Sequence, residues 1–429
     1  MKTGFMGVLA ALSLSVPMVA MAAAKPGGPV TVIKAAHMID TLAGKRRDHV
    51  QVVVRGQRIA AVQKQGAAIP AGAKVIDLGA MTLTPGLVDS HTHMTGAPFF
   101  GYEGLKVSAP RAALYGAKNA RKTLLAGITT VRDVGAQGYS DVALRDAIKD
   151  GDIPGPRMLV SGPPLGMTGG HCDSNLLPYS FHYSAEGVAN GPWAVRAKVR
   201  ETIKYGADLI KFCATGGVLS KGDTPGAQQY TLEEMKAIVD EAHMHGRRVA
   251  AHAHGTAGIK AAILAGVDSV EHASILDDQA IRLALENGTY FSMDIYNDDY
   301  ILSEGIKHGM LPESIKKEKA LGLTQRQSFQ RAVKAGVKMA FGTDEGVYPH
   351  GDNGKQMPKM VEWGMTPMQA IQTATMGSAT LLGLQDDIGA LSKGRYADII
   401  AVAGDPLKDP SEFTRVRFVM KGGVVYKGE

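Results

Sequence analysis

The chain has 429 residues, 45% hydrophobic and 21% charged, with 47 Lys+Arg against 41 Asp+Glu for a net charge of +6. That length exceeds one small domain, and that composition excludes a disordered or fibrous chain in favour of a globular protein with a large core. No basic run is long enough for a nucleic-acid-binding arm, and Cys172 and Cys213 are too few for a disulfide framework.

At the N-terminus, Lys2, the apolar stretch from Phe5 to Val16, Pro17 and the small residues ending at Ala24 read as a secretory signal over residues 1–24, cut after Ala22 or Ala24. The apolar run is short for a bilayer span. The mature chain is therefore expected to be periplasmic or secreted, with no membrane partner. Next come short alternating runs with no helix between them, VTVIKAAHMI, VQVVVRGQRIAAV and KVIDLGAMTL. The same style returns at the other end in ADIIAVAG and VRFVMKGGVVYKG. These pieces predict a small β-sandwich from residues 25–83 and 385–429.

Between them, residues 84–384 alternate apolar runs with helical patterns. The candidate strands are Leu83–His93, Gly127–Val134, Arg157–Ser161, Asp208–Ala214, Arg248–His254, Val267–His272, Thr289–Asp294 and Val337–Thr343. Thr231–His245 reads as an amphipathic helix with a capping box of Thr231 and Glu234. Strands alternating with helices predict an α/β fold, most economically a (β/α)8 TIM barrel. An open doubly wound sheet competes, but no GxGxxG turn supports it.

The polar residues at the strand ends carry the chemistry. In Asp89-Ser90-His91-Thr92-His93 the two histidines stand two apart, so both side chains face the same side of a strand and can reach one metal. Lys211, His252 and His272 close later strands, and Asp344 follows the last. In a TIM barrel these ends open on one face. Lysine is the odd member of such a set. A neutral amine can take up carbon dioxide and become a carbamate ligand, which burial favours by lowering its pKa; a lysine closing a salt bridge is the alternative.

VIDLGAMTLTPGLVDSHTHM, LIKFCATGG, VAAHAHG, VDSVEHAS, AFGTDEG and KGRYADIIAV together resemble the amidohydrolase superfamily. Lys211 points to its binuclear branch of prolidase-like dipeptidases and secreted ochratoxin-hydrolysing amidohydrolases. By that resemblance His91, His93 and Asp344 bind one divalent cation and His252 and His272 the other, with carboxylated Lys211 bridging and zinc the expected metal. Asp344 would be the catalytic acid–base group. The resemblance also implies a homo-oligomer and a small amide or dipeptide substrate that loses its C-terminal amino acid, ochratoxin A releasing phenylalanine being one case. His171 could donate to the substrate carbonyl or bond only its own loop. Tyr230 could hold substrate or pack at the surface where a helix begins. His254 shares the strand side of His252 and so could line the pocket, although it would exceed the ligand count. Cyclic-amide hydrolysis, phosphotriester or lactone hydrolysis, and a non-catalytic relative are the rival readings; the complete ligand set argues against the last. Cys172 and Cys213 are expected to stay unlinked.

Overall fold

The computed structural model describes residues 28–428, so the expected signal segment lies outside the described residues. Five strands come first: β1 (Val30–Asp40), β2 (Lys45–Arg55), β3 (Arg58–Lys64), β4 (Lys74–Asp77) and β5 (Thr82–Pro85). Eight follow near the expected positions: β6 (Leu87–Thr92), β7 (Ile128–Asp133), β8 (Arg157–Val160), β9 (Leu209–Cys213), β10 (Arg248–Ala253), β11 (Ser269–His272), β12 (Tyr290–Ser292) and β13 (Met339–Ala340). The chain ends on β14 (Ile399–Val402), β15 (Phe418–Lys421) and β16 (Val424–Lys427). Helices α1 (Ala109–Leu125), α2 (Ser140–Asp150), α3 (Pro192–Lys204), α4 (Leu232–Met244), α5 (Thr256–Ala265), α6 (Asp278–Asn287), α7 (Asn297–Glu304) and α8 (Pro312–Ala335) separate the central strands. The capping box of Thr231 and Glu234 is present at the start of α4.

Where two sheets of a sandwich were expected, the terminal strands share one hydrogen-bonded sheet of eight, with β5 joined antiparallel to β14. The cause lies in β1, which is long enough to use one edge twice. It pairs with β4 over Thr31–Lys34 and with β5 at His37 and Met38. Ile33, Val52, Leu83, Ile399 and Phe418 lie in the core on this sheet. The run Leu83–His93 divides at Gly86, leaving β5 in this sheet and β6 in another. Any Cβ at Gly86 would collide with the Thr129 side chain.

The central strands form two parallel sheets, β6-β7-β8 and β9 to β13. Every residue of β6, β7, β9 and β11 is buried, as parallel strands covered on both faces require. Backbone hydrogen bonds cross both seams between these sheets. At one, Ser90 N–H donates to Phe341 O at 2.7 Å and Asp344 N–H to His91 O at 2.8 Å. At the other, Leu165 N–H donates to Lys211 O at 2.8 Å and Cys213 N–H to Leu165 O at 2.9 Å. Among the described residues, no helix is long and apolar enough to cross a membrane.

Candidate metal centre

The predicted ligands meet at the C-terminal ends of the parallel strands. Asp344 Oδ1 lies 3.3 Å from His91 Nε2 and 3.2 Å from His93 Nε2. The His272 ring centroid is 5.0 Å from that of His91 and 4.6 Å from that of His252. His91, Lys211, His252, His272 and Asp344 are buried. His93 keeps 33% of its side-chain surface exposed. Burial lowers the Lys211 amine to about 8, against the pull of Glu271 and Asp344. Burial would raise the Asp344 carboxyl, but His91 and His93 outweigh it and hold it well below the ordinary carboxylate range.

The hydrogen bonds around the rings show where their protons sit. His93 Nδ1 is 3.1 Å from the Gly135 carbonyl, which can only accept, so a neutral ring turns its Nε2 lone pair to Asp344. His272 Nδ1 is 2.8 Å from the Asp294 carboxylate, which likewise leaves Nε2 as a lone pair. His252 Nε2 is 3.2 Å from the Gly216 carbonyl and frees Nδ1. Lone pairs and a carboxylate oxygen crowded together repel one another unless a cation lies among them, so the donor set fits divalent metal. Two triplets have ligand atoms all within 4.8 Å: His91, His272 and Asp344, and His252, His254 and His272. His254 thus stands closer to ligand position than expected. Its ring stacks on His272 with centroids 4.7 Å apart, and its Nδ1 is 2.7 Å from Ser274 Oγ.

The backbone turns sharply at two of these residues. His272, Ala273 and Asp344 have φ of 69°, 46° and 55°. Ala273 N–H donates to Glu271 O at 2.9 Å, closing a γ-turn centred on His272. Such conformations cost about 1–3 kcal/mol each and persist where surrounding contacts impose them.

Those contacts come from residues that the sequence reading did not single out. Glu271, fully buried, places Oε2 3.0 Å from His91 Nδ1, without a well-aligned hydrogen bond. Its other oxygen accepts from Arg132 Nη2 at 2.7 Å and Ser269 Oγ at 2.5 Å. Behind His272, Asp294 accepts from Asn297 Nδ2 at 2.6 Å and Gln325 Nε2 at 3.0 Å. Asn297 Nδ2 also reaches Asp344 Oδ2 at 3.2 Å. The available signal was a charged residue inside a short β-type segment of the barrel region, Arg132 in ITTVRD and Glu271 in SVEH.

Two expectations need correction, and a third residue, His171, is placed over the site. Tyr230 is neither at the mouth nor at the surface. Phe212 alternates with Lys211 and faces away from the site, Tyr230 packs against it, and the Tyr230 hydroxyl donates to Ala189 O at 2.9 Å. Cys172 and Cys213 form a disulfide with Cα atoms 5.9 Å apart, because the loop after β8 folds back onto β9. His171 stands over the site, its ring stacked on His252 with centroids 4.2 Å apart. However, its Nδ1 is 2.7 Å from Ser220 Oγ, and burial lowers its pKa to about 4. Ser220 Oγ can donate to Nδ1 or accept from it, and only in the second case does Nε2 lose the N–H that a substrate carbonyl would need.

A model of the amidohydrolase family matches residues 82–426. Ochratoxinase of Aspergillus niger is 38% identical over 370 residues, covering 81% of this chain and 76% of that protein. Among solved structures, a Xaa-Pro dipeptidase with methionine in its active site has a TM-score of 0.87 at 38% identity, over 93% of this chain and 100% of that one. The crystal structure of A. niger ochratoxinase has a TM-score of 0.85 at 33% identity, over 94% and 97% of the two chains.

Proposed function

The chain belongs to the amidohydrolase family, and we propose that it is a binuclear enzyme releasing the C-terminal amino acid from dipeptides or N-acyl amino acids, ochratoxin A among them. The observation that carries this reading is Asp344 Oδ1, 3.3 and 3.2 Å from the Nε2 atoms of two imidazoles in a buried cluster of donors. Similarity to ochratoxinase and to a Xaa-Pro dipeptidase supports the substrate class. The hydrogen bonds at both seams support closure of the central strands into a (β/α)8 barrel.

His91, His93 and Asp344 would hold one cation and His252 and His272 the other, with His254 beside the second and Lys211, as a carbamate, between them. A divalent pair supplies Lewis acidity and a nucleophile at neutral pH, and zinc suits histidine and carboxylate donors. Asp344 accepts the nucleophile's proton and delivers it to the leaving nitrogen. Glu271 and Asp294 hold His91 and His272 in place while this happens. We further propose a homo-oligomer in the periplasm or outside the cell; the disulfide suits an oxidising compartment.

The test is metal content followed by a substrate screen. Purified protein should carry about two divalent cations per chain. Chelation should abolish hydrolysis of N-acyl amino acids and dipeptides, and zinc should restore it. Full activity after verified metal removal would overturn the reading, as would preferential cleavage of cyclic amides, lactones or phosphotriesters.

A further inference from the structure

We infer that Asn297 is a positioning residue for the reaction. Its amide NH2 spans two buried carboxylates and holds Asp344 with one oxygen toward the imidazoles of His91 and His93, in register with Asp294 behind His272. The inference rests on the role given to Asp344 above and names the group that aims it.

The segment Asp294-Ile295-Tyr296-Asn297 makes the turn between β12 and α7. Asn297 N–H donates to Asp294 O at 3.0 Å and closes that turn. Arg326 of α8 clamps it from the other side. The guanidinium donates to Ile295 O at 3.2 Å and pairs with Asp298 at 3.0 Å and Asp299 at 2.9 Å, so residues on both sides of Asn297 are pinned. The two helices meet closely at Gly322, where any Cβ would strike the Asp298 carboxylate.

Asn297 is buried, and its Nδ2 lies 2.6 Å from Asp294 Oδ2 and 3.2 Å from Asp344 Oδ2. An amide nitrogen carries two protons, one for each carboxylate. Turning the amide over would set Oδ1 against two anionic acceptors, so charge fixes its orientation. The oxygen of Asp344 that faces the imidazoles is the other one, Oδ1, 3.3 and 3.2 Å from the Nε2 atoms of His91 and His93. A carboxylate bonded at Oδ2 does not rotate freely to exchange its oxygens. Having accepted one hydrogen bond, Oδ2 still keeps a lone pair for a proton.

Space-filling alone does not account for this residue. Asn297 Oδ1 is buried without a hydrogen-bond partner among the described residues. An orphaned acceptor of that kind lowers stability, and a leucine of similar volume would avoid it. Leucine, however, would remove the hydrogen-bond donor that Asp344 Oδ2 has among the described residues. A local cost retained beside a reacting group is the pattern of a functional constraint.

Crystals of the metal-loaded wild type read the contact directly: Asn297 Nδ2 should stay within hydrogen-bonding distance of Asp344 Oδ2, with Oδ1 toward His91 and His93. In parallel, kcat and KM are measured for a well-cleaved N-acyl amino acid at saturating metal, with bound metal quantified. Asn297→Ala and Asn297→Leu should lose about 10–100-fold in kcat, the worth of a hydrogen bond to a charged group, with KM little changed. Asn297→Ser, which keeps a donor, should lose less. The visible spectrum of the cobalt-substituted protein should shift in the Ala and Leu variants, because Asp344 is then free to turn. Ser303→Ala, on the same helix but bonded only to Asp299 O, should keep the wild-type kcat and spectrum. Fully metallated Asn297→Ala or Asn297→Leu with wild-type kcat and spectrum overturns the inference, as does a wild-type crystal with Asn297 out of reach of Asp344. If the wild type hydrolyses no amide, the amidase reading fails, while the crystal contact and the cobalt spectra still decide whether Asn297 holds Asp344.

Discussion

His272 Nδ1 and Asp294 Oδ1 are 2.8 Å apart, both side chains are buried, and Gln325 and Asn297 hold the carboxylate from its other sides. A carboxylate behind a ligating histidine fixes the ring and raises its basicity, and losing it costs about 10–100-fold in metal affinity. Asp294→Ala should show that loss in a chelator competition titration while far-UV circular dichroism stays native. An unchanged metal affinity would mean that the γ-turn alone aims His272.

The disulfide should matter for stability and for the loop that carries His171. It closes a sequence separation of 41 residues, for which chain entropy gives about 4 kcal/mol of stabilisation. The double variant Cys172→Ser, Cys213→Ser should unfold at lower denaturant concentration. It should also lose turnover on a well-cleaved amide, because the residue beside His171 is no longer tethered. Equal denaturation midpoints would show that hydrogen bonds to Gln229 and Ser220 hold the loop unaided.

Much of this site follows from strand parity, and its omissions follow from breaks in that parity. Lys211 sits within a regularly paired strand, whose alternation puts it on the inner side; His91 lies where β6 pairs irregularly with β7, yet it and His93 still reach the same Asp344 oxygen. Glu271 and His272 are neighbours, and strict alternation allows only one of them to face inward. The γ-turn at His272 lets both do so, and no period-of-two reading contains that turn. Tyr230 was misplaced for the converse reason. It precedes the helix cap Thr231, on the side of the strand layer where Phe212 points, so its sequence distance from Lys211 said nothing about which layer it joins. The sandwich became one sheet because strand pairing along a long, doubly used edge is not encoded in local alternation.

Glu318 on α8 gives a pH dependence with a definite sign. Burial, helped by Asp298 and Asp294, raises its carboxyl from 4.5 to about 8. The folded chain therefore keeps a proton that the unfolded chain has released across that window. Stability from this group is greatest below 4.5 and falls as pH rises toward 8. Glu318→Gln keeps the shape and removes the titration. Its denaturation midpoint should match the wild type near pH 4 and exceed it at neutral pH by the equivalent of ~3 kcal/mol. A gap that closes rather than opens with rising pH would show that the carboxyl is ionised in the folded chain.

Asp344 is the residue on which turnover should depend most. Its φ of 55° lies in the left-handed region that Asn tolerates as readily as Asp, so Asp344→Asn should leave the local backbone intact. The amide cannot take up the proton that the carboxylate accepts, and loss of such acid–base assistance costs on the order of 10²–10⁴-fold in kcat. Metal binding should weaken too. Asn297 Nδ2 lies 3.2 Å from Asp344 Oδ2, so the new amide must turn either its NH2 or its oxygen toward the imidazoles of His91 and His93. Measuring kcat at saturating zinc, with bound metal quantified in the same samples, separates the two effects. A loss of less than tenfold in fully metallated enzyme would move the proton-accepting role to another residue.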